Sequence, residues 1–400
     1  MARSVRARVR GLLRSGPCRD GLWRRDLRLH MTEVLAIELR LVRLPLVRPF
    51  RTSFGEDRDK ECILVRIKSP DAVGWGECVA GHAPGYSEEF NEGAWSLMRE
   101  FLAPSLLAAG DISPERVAER LARVRGHRMA KAAFEAAVLD ADLRARDESL
   151  AGYLGGTQPR VPVGVSVGIT ETVDELLEQV AGYVSAGYRR VKLKIEPGFD
   201  VRPVSAVREA HPGVPISVDA NAAYSMQDLD TFAELDALGL VMIEQPFSRE
   251  DLVEHAKLQQ RIETPICLDE SIRSAADANA ALELGACRII NVKPGRVGGL
   301  LEACRVHDAA VKRDVPVWCG GMLETGIGRA ANLALASLPG FTLPGDISAS
   351  SRYFEEDLTD PFEVAPDGTM AVPDGPGIGV EPHTGRLEAA TVRLERIGEE

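Results

Sequence analysis

VKLKI at 191–195, ISVDAN at 216–221, VMIEQP at 241–246, ICLDES at 266–271 and IINVKPG at 289–295 are five short apolar runs, each closing on a charged residue. The charges are Lys194, Asp219, Glu244, Asp269 and Lys293, separated by 25, 25, 25 and 24 residues. Runs of this length, rich in Val and Ile and bounded by turn residues, read as buried β-strands. One βα unit of a parallel barrel takes about that many residues, so the spacing sets equivalent strand ends side by side on one rim. Strands buried on both faces seldom end in inward charges without a use for them.

Working outward, the alternation of strand and helix begins after Gly155-Gly156 and continues to FTLPGDIS near 348. Eight strands are expected, at 162–169, 190–195, 215–220, 240–245, 265–269, 288–293, 315–319 and 341–345. Segments such as TVDELLEQVAGYVSAG and ADANAALELGA supply helices between them. Upstream, VLAIELRLVRL, ECILVRIKS and VGWGECV read as a small antiparallel sheet, and residues 88–150 as helices ending in the Ala-rich KAAFEAAVLDADLRARD. The expected organisation is an Arg-rich extension at 1–30, an α+β capping domain at 31–155, a barrel carrying the active site at 156–354, and a segment at 355–400 returning to the capping domain. Met31 opens a clean alternating strand, so residues 1–30 are read as an over-extended translation start, or else as a disordered arm.

The 400-residue chain is 45% apolar, ample for a barrel of about 250 residues with a second domain. Its net charge of −12 conceals an asymmetry, because residues 1–30 hold nine Arg against Asp20 and Asp26. The body from Met31 onward is therefore strongly acidic, which argues against nucleic-acid binding and for small-molecule partners. The cysteines at 18, 62, 78, 267, 287, 304 and 319 form no C-x-x-C pair and fit buried thiols in a reducing cytoplasm. Residues 1–30 lack the apolar core of a secretory signal, and no run approaches the roughly 18 apolar residues of a membrane span. A cytoplasmic protein with no membrane partner is expected.

Three converging carboxylates repel one another unless a cation neutralises them. Oxygen ligands on rigid strand ends suit Mg²⁺, so Asp219, Glu244 and Asp269 are assigned a divalent metal. None of the seven His falls at a strand end, which disfavours an imidazole-ligated metal. Lys192 and Lys194 share a strand face, as do Asp219 and Asn221. A lysine with an ordinary pKa of about 10.4 serves as a base only where a neighbouring cation disfavours its charged form, and Lys192 with the metal supplies that push to Lys194. Lys293 approaches from across the barrel. The implied step is proton transfer at the α-carbon of a carboxylate. Asn221 either orders its turn or supports the site. Glu270, next to Asp269, points the other way in the strand and meets a neighbouring lysine or solvent. Glu324 hydrogen-bonds across the barrel mouth or caps the next helix.

The ordered set K-L-K, V-D-A-N, I-E-Q-P, L-D-E-S and N-V-K-P-G resembles the enolase superfamily in its muconate-lactonizing-enzyme-like subgroup, over about 31–390. Lysine bases working with Mg²⁺-stabilised enediolates are known in that superfamily. The resemblance implies a modified (β/α)₇β TIM-type barrel with an N-terminal α+β cap, Mg²⁺ on Asp219, Glu244 and Asp269, Lys194 as base, and Lys293 facing it. The stretches VGVSVGI, WCGGMLETGIGRA, FTLPGDISASSRYFEEDLT and PGIGVE look like o-succinylbenzoate synthases that overlap with N-acylamino acid racemases. That likeness implies dehydration of 2-succinyl-6-hydroxy-2,4-cyclohexadiene-1-carboxylate in menaquinone synthesis, or racemisation of N-acyl or N-succinyl amino acids, or both. It also implies that Phe50, Phe54 and Tyr86 on mobile cap loops close the pocket, and that Ser166, Gly321 and Met322 meet the succinyl portion. Dipeptide epimerases of the subgroup carry Asp-x-Asp where this chain has Asp346-Ile347-Ser348, so a substrate ammonium is disfavoured. By analogy with such barrels, a homo-oligomer is expected. A non-catalytic barrel is the rival from another class, and the intact set of five charges speaks against it.

Overall fold

The structure is a computed structural model that describes residues 30–398. The expectation about 1–30 therefore lies outside the described residues, His30 apart. Residues 36–78 form three antiparallel strands, β1 (Ala36–Thr52), β2 (Gly55–Lys68) and β3 (Val73–Cys78), in that spatial order. A C-terminal strand, Thr391–Gly398, pairs antiparallel with β1 and completes the sheet from the far end of the chain. The near-continuous apolar run of β2 reflects burial on both faces. Ile63, Val65 and Ile67 pack with Trp95 and Phe134, while Cys62 and Leu64 join the core shared with the barrel. The long helix α1 (Arg128–Ala145) lies directly on β3. Only glycine permits that approach, since a Cβ at Gly74 would stand 2.1 Å from the Ala137 carbonyl oxygen and one at Gly76 2.0 Å from that of Ala133.

The β1–β2 register shifts between Pro45 and Phe50, and the pairing then resumes with Phe50 opposite Asp57 and Thr52 opposite Gly55. This distal part of the hairpin projects over the barrel mouth and carries Phe50 and Phe54 to it.

Seven parallel strands follow in sequence order: β4 (Val165–Val167), β5 (Val191–Lys194), β6 (Ile216–Asp219), β7 (Ile243–Glu244), β8 (Ile266–Leu268), β9 (Ile289–Val292) and β10 (Val317–Cys319). Helices alternate with them, among them α2 (Val173–Ser185), α3 (Leu300–Val311) and α4 (Gly326–Ala336). Thr172 and Thr325 accept hydrogen bonds at the first turns of α2 and α4, which is where the sequence places a capping hydroxyl before each apolar periodicity.

The eighth strand expected at 341–345 is not a ladder strand. Phe341 makes an isolated parallel bridge to Val317 and Gly345 another to Val163, so the segment closes the ring with one contact on each side. Pro344 in FTLPG has no amide hydrogen to offer a ladder, which accounts for the difference. The ring is closed all the same, giving the (β/α)₇β barrel with its antiparallel cap.

The six cysteines among the described residues are free and buried. Among the same residues, no helix is long and apolar enough to cross a membrane.

Candidate active site

Parallel pairing sets Lys194 opposite Asp219 and Asp219 opposite Glu244, so three of the five spaced charges form one row across β5, β6 and β7. Asp269 and Lys293 lie one residue beyond β8 and β9. β5 and β9 are the second and sixth staves of the ring, so Lys194 and Lys293 stand on opposite sides of the mouth. All three carboxylates are essentially inaccessible to solvent.

Each carboxylate is engaged by basic side chains. Lys192 Nζ lies 3.0 Å from Asp219 and 2.8 Å from Glu244, Lys194 Nζ 2.7 Å from Asp219, and Lys293 Nζ 2.7 Å from Asp269. Arg296 also pairs with Asp269. Asn291 donates to Glu244 at 2.8 Å and the Tyr86 hydroxyl to Asp269 at 2.9 Å. Among the described residues, no group of three or more His, Cys, Asp or Glu is arranged to hold a metal ion, and the Lys192 ammonium stands between Asp219 and Glu244. The donor set nevertheless fits a hard cation. It consists of carboxylate oxygens on neighbouring strands, and two further buried oxygens of the floor, Asn291 Oδ1 and Glu270 Oε2, have no hydrogen-bond partner.

The basic groups are not equivalent. Burial pushes the Lys194 amine below its ordinary value and nearby Lys192 adds to the effect, despite the opposing pull of Asp219. Burial acts on Lys192 the same way, yet Asp219, Asp346 and Glu244 together hold it well above the ordinary value. For Lys293, burial is outweighed by attractive neighbours led by Tyr86, and the ammonium form is favoured. Asp219 is lowered, its own burial offset by Lys192 and Lys194. Of the two lysines on β5, Lys194 is the one driven toward its neutral form. Its neighbour Lys192 stays cationic.

A cavity of about 300 Å³ lies between the cap and this rim. Lys192, Lys194, Asn221 and Lys293 reach it from the barrel. Ser166 on β4 also lines it, buried, with a hydroxyl that has no partner. Gly321 and Met322 line it from the loop after β10, where a Cβ at Gly321 would stand 2.5 Å from the Asp346 carbonyl oxygen. From the cap come Phe50, buried, and Phe54, 43% exposed at the hairpin tip with its ring 6.5 Å from that of Tyr86. Tyr86 is more than an apolar wall. Its hydroxyl accepts from Lys293 Nζ at 3.3 Å, and the same ammonium stands 4.5 Å over its ring.

Asn221 does both things open to it. It adopts a left-handed φ of 43° at its turn, and it bridges Lys194, 2.5 Å from its Oδ1, to Glu270, 2.9 Å from its amide. Glu270 therefore belongs to the site floor rather than pointing away. The strict alternation that would turn it outward ends with β8 at Leu268. Glu324 does not line the cavity. Its carboxylate accepts from the Met322 amide at 2.8 Å and from Asn332 at 2.9 Å, behind the loop, while Thr325 provides the helix cap.

Sequence reasoning missed Arg190, Asn291, Arg296 and Lys60. Arg190 lies two residues before Lys192 and so shares its strand face, a signal available in R-V-K-L-K. Arg296 is folded back on Asp269 by the short helical turn Pro294–Val297 that Pro294 initiates. Lys60, buried on β2, donates to the Met322 carbonyl at 2.9 Å and ties the cap to the loop after β10.

Two family models cover nearly the whole folded chain: Mandelate racemase / muconate lactonizing enzyme, N-terminal domain, over residues 36–155, and Enolase C-terminal domain-like over 175–386. The chain is 55% identical to an N-succinylamino acid racemase of an Amycolatopsis species, over 90% of this chain and 98% of that one. It is 50% identical to an o-succinylbenzoate synthase of Geobacillus kaustophilus, over 88% and 94%. An enolase superfamily member of Listeria innocua superposes with a TM-score of 0.87 at 42% identity, covering 92% of this chain and 99% of its own. Enzymes of this superfamily generally use a divalent metal. The rim of opposed lysines, the three strand-end acids and these likenesses agree: the chain belongs to the mandelate racemase / muconate lactonizing enzyme family of the enolase superfamily.

Proposed function

We propose that this protein is a Mg²⁺-dependent o-succinylbenzoate synthase that also racemises N-succinylamino acids in the same site, in the cytoplasm. The observation that carries the reading is the opposition of Lys194 and Lys293 across a cavity of about 300 Å³, with three acids between them. Relatives of both names at 50–55% identity support it.

Asp219, Glu244 and Asp269 would hold the cation, which would supply acidification of the C–H bond next to a substrate carboxylate by withdrawing its charge. Lys194, the amine driven toward neutrality, takes the α-proton. Lys192 remains an ammonium beside the developing negative charge. In dehydration, Lys293 stays cationic and stabilises the enediolate. The hydroxyl group then leaves with the proton that Lys194 had taken, so one water departs. In racemisation, Lys293 returns a proton to the opposite face. The unpartnered Ser166 hydroxyl offers a hydrogen bond to the succinyl arm.

The electrostatic sum favours a dicarboxylate. Around the floor, while Lys194 still carries its proton, five acids (Asp219, Glu244, Asp269, Glu270 and Asp346) face five cations (Arg190, Lys192, Lys194, Lys293 and Arg296). A divalent cation adds two positive charges, and a substrate bearing two carboxylates restores balance. Both the succinylated cyclohexadiene acid and N-succinylamino acids meet that condition.

The test is a side-by-side rate measurement on the cyclohexadiene acid and a panel of N-acyl amino acids, with racemisation followed in D₂O. Turnover of the first, with α-deuterium appearing in N-succinyl-phenylalanine, is expected. Absence of both would remove the assignment, and absence of exchange alone would remove racemisation.

A further inference from the structure

Asp346, the residue that follows the closing stave of the barrel, has both carboxylate oxygens occupied by buried cations. Oδ1 accepts from Arg190 Nη2 at 2.7 Å and Oδ2 lies 2.7 Å from Lys192 Nζ. Arg190 is itself fixed. Its guanidinium lies 4.2 Å from the centre of the Trp318 ring, and its Nη1 donates to the Ser217 hydroxyl at 3.1 Å. The Asp346 amide is pinned by a bond to the Cys319 carbonyl at 2.9 Å. Asp346 is thus the end of a rigid bracket of Trp318, Arg190 and the ring-closing segment, and what the bracket grips is Lys192. The other carboxylates around Lys192 Nζ are Asp219 and Glu244, to which the proposed function gives a second task.

We propose that Asp346 is a positioning residue. It gives Lys192 an ionic partner besides Asp219 and Glu244, so that the ammonium keeps a buried counter-charge, and stays within reach of the substrate, when those two carboxylates turn to a divalent cation. A carboxylate spent in this way is not available to a substrate ammonium. The chain's lack of a second acid at Ser348 is then one of two reasons to reject such substrates, the other being that Asp346 is already engaged. This inference rests on the reading of Asp219 and Glu244 as metal ligands, and it makes a prediction that does not depend on turnover.

Without the Asp346 charge, Lys192 has only Asp219 and Glu244 as ionic partners and competes with the cation for them. Purified protein is titrated with Mn²⁺ and the free ion read by electron paramagnetic resonance, for the unaltered chain, Asp346→Asn, Lys192→Met and the double variant. Asp346→Asn is expected to raise the Mn²⁺ Kd roughly tenfold, the scale of one charge-assisted hydrogen bond. In the Lys192→Met background the same change is expected to shift Kd by less than about threefold, because the competing ammonium is gone. An unchanged Kd in Asp346→Asn, or an equal rise in both backgrounds, overturns the proposal. So does an unaltered protein that binds no Mn²⁺ at all. Should Asp346→Asn fail to fold, Asp346→Ser, which keeps an acceptor for Arg190, reads the same quantity. A protein that binds Mn²⁺ as expected yet turns over neither substrate class would remove the assigned reaction and leave the role of Asp346 standing.

Discussion

Glu77 at the end of the cap sheet caps a barrel helix: the Thr325 hydroxyl donates to its Oε2 at 2.7 Å, and the Thr325 and Gly328 amides donate to the same carboxylate at 3.0–3.2 Å. The partners lie 248 residues apart in the chain, so the last helix of the barrel begins on a carboxylate from the other domain. Burial raises the pKa of Glu77, with Lys60 nearby opposing the rise. Glu77→Ala would leave three donors unpaired, two of them buried, and is expected to cost about 3–5 kcal/mol, whereas Glu77→Gln, which keeps one acceptor oxygen, is expected to cost about 1–2 kcal/mol. Urea unfolding of the two variants beside the parent measures the difference.

A second acid of the cap does the same at the neighbouring helix. Glu135 on α1 accepts from the Leu301 amide at 3.0 Å, at the head of α3. The contact is so close that a Cβ at Gly299 would stand 2.3 Å from the carboxylate, and Gly299 has a φ of 147°. Burial lifts this carboxyl to about 7. A folded-state value above the unfolded one means that the folded protein holds the proton more tightly. The stability contributed is therefore complete below about pH 4.5 and is lost as pH rises through about 7, by at most about 3 kcal/mol. Asp140, on the same helix and lifted to about 6, has the same sign. Glu135→Gln is expected to flatten, but not abolish, the fall in melting temperature between pH 5 and 7.5. An identical slope in variant and parent would contradict this account.

Much of the architecture was legible because barrel periodicity and burial act on the same residues. Strands β5 to β9 fall where runs of Val and Ile end in Lys194, Asp219, Glu244, Asp269 and Lys293, and a strand buried on both faces has few other ways to be written. What was not legible depended on where the regular backbone stops. Glu270 was misplaced because β8 ends two residues earlier, and the stave at 341–345 because Pro344 interrupts it. Arg296 and Glu324 sit in turns whose side-chain directions no periodicity fixes. The cation bracket of Arg190 and Trp318 joins residues 128 positions apart, a contact that only the closed ring creates.

The two opposed lysines separate the two reactions. Lys194→Ala is expected to lower both turnovers by about 10²–10⁴-fold, the usual contribution of a positioned base. Lys293→Arg keeps a cation beside Tyr86 but removes a group able to exchange a proton near neutral pH. It is expected to abolish α-deuterium incorporation into N-succinyl-phenylalanine, while dehydration of the cyclohexadiene acid falls by about tenfold or less. Equal losses in the two assays would show that Lys293 does not change roles between them.

Chelation tests the charge balance of the floor as well as the need for a metal. Exhaustive treatment with EDTA is expected to abolish turnover and Mg²⁺ or Mn²⁺ to restore it, and activity that survives would contradict a metal role for Asp219, Glu244 and Asp269. The stronger expectation concerns affinity. If the site's five acids and five bases are balanced by themselves, metal and dicarboxylate each arrive with an uncompensated double charge, and each favours the other. Linkage requires the effects to be equal: the factor by which o-succinylbenzoate tightens Mn²⁺ binding must match the factor by which Mn²⁺ tightens o-succinylbenzoate binding. That factor is expected to be about 5–150, and smaller for the analogue with a butyryl in place of the succinyl arm, which brings only one charge. Calorimetric titration in both orders measures it, and equal coupling for the two ligands would show that the distal carboxylate has no part in balancing the site.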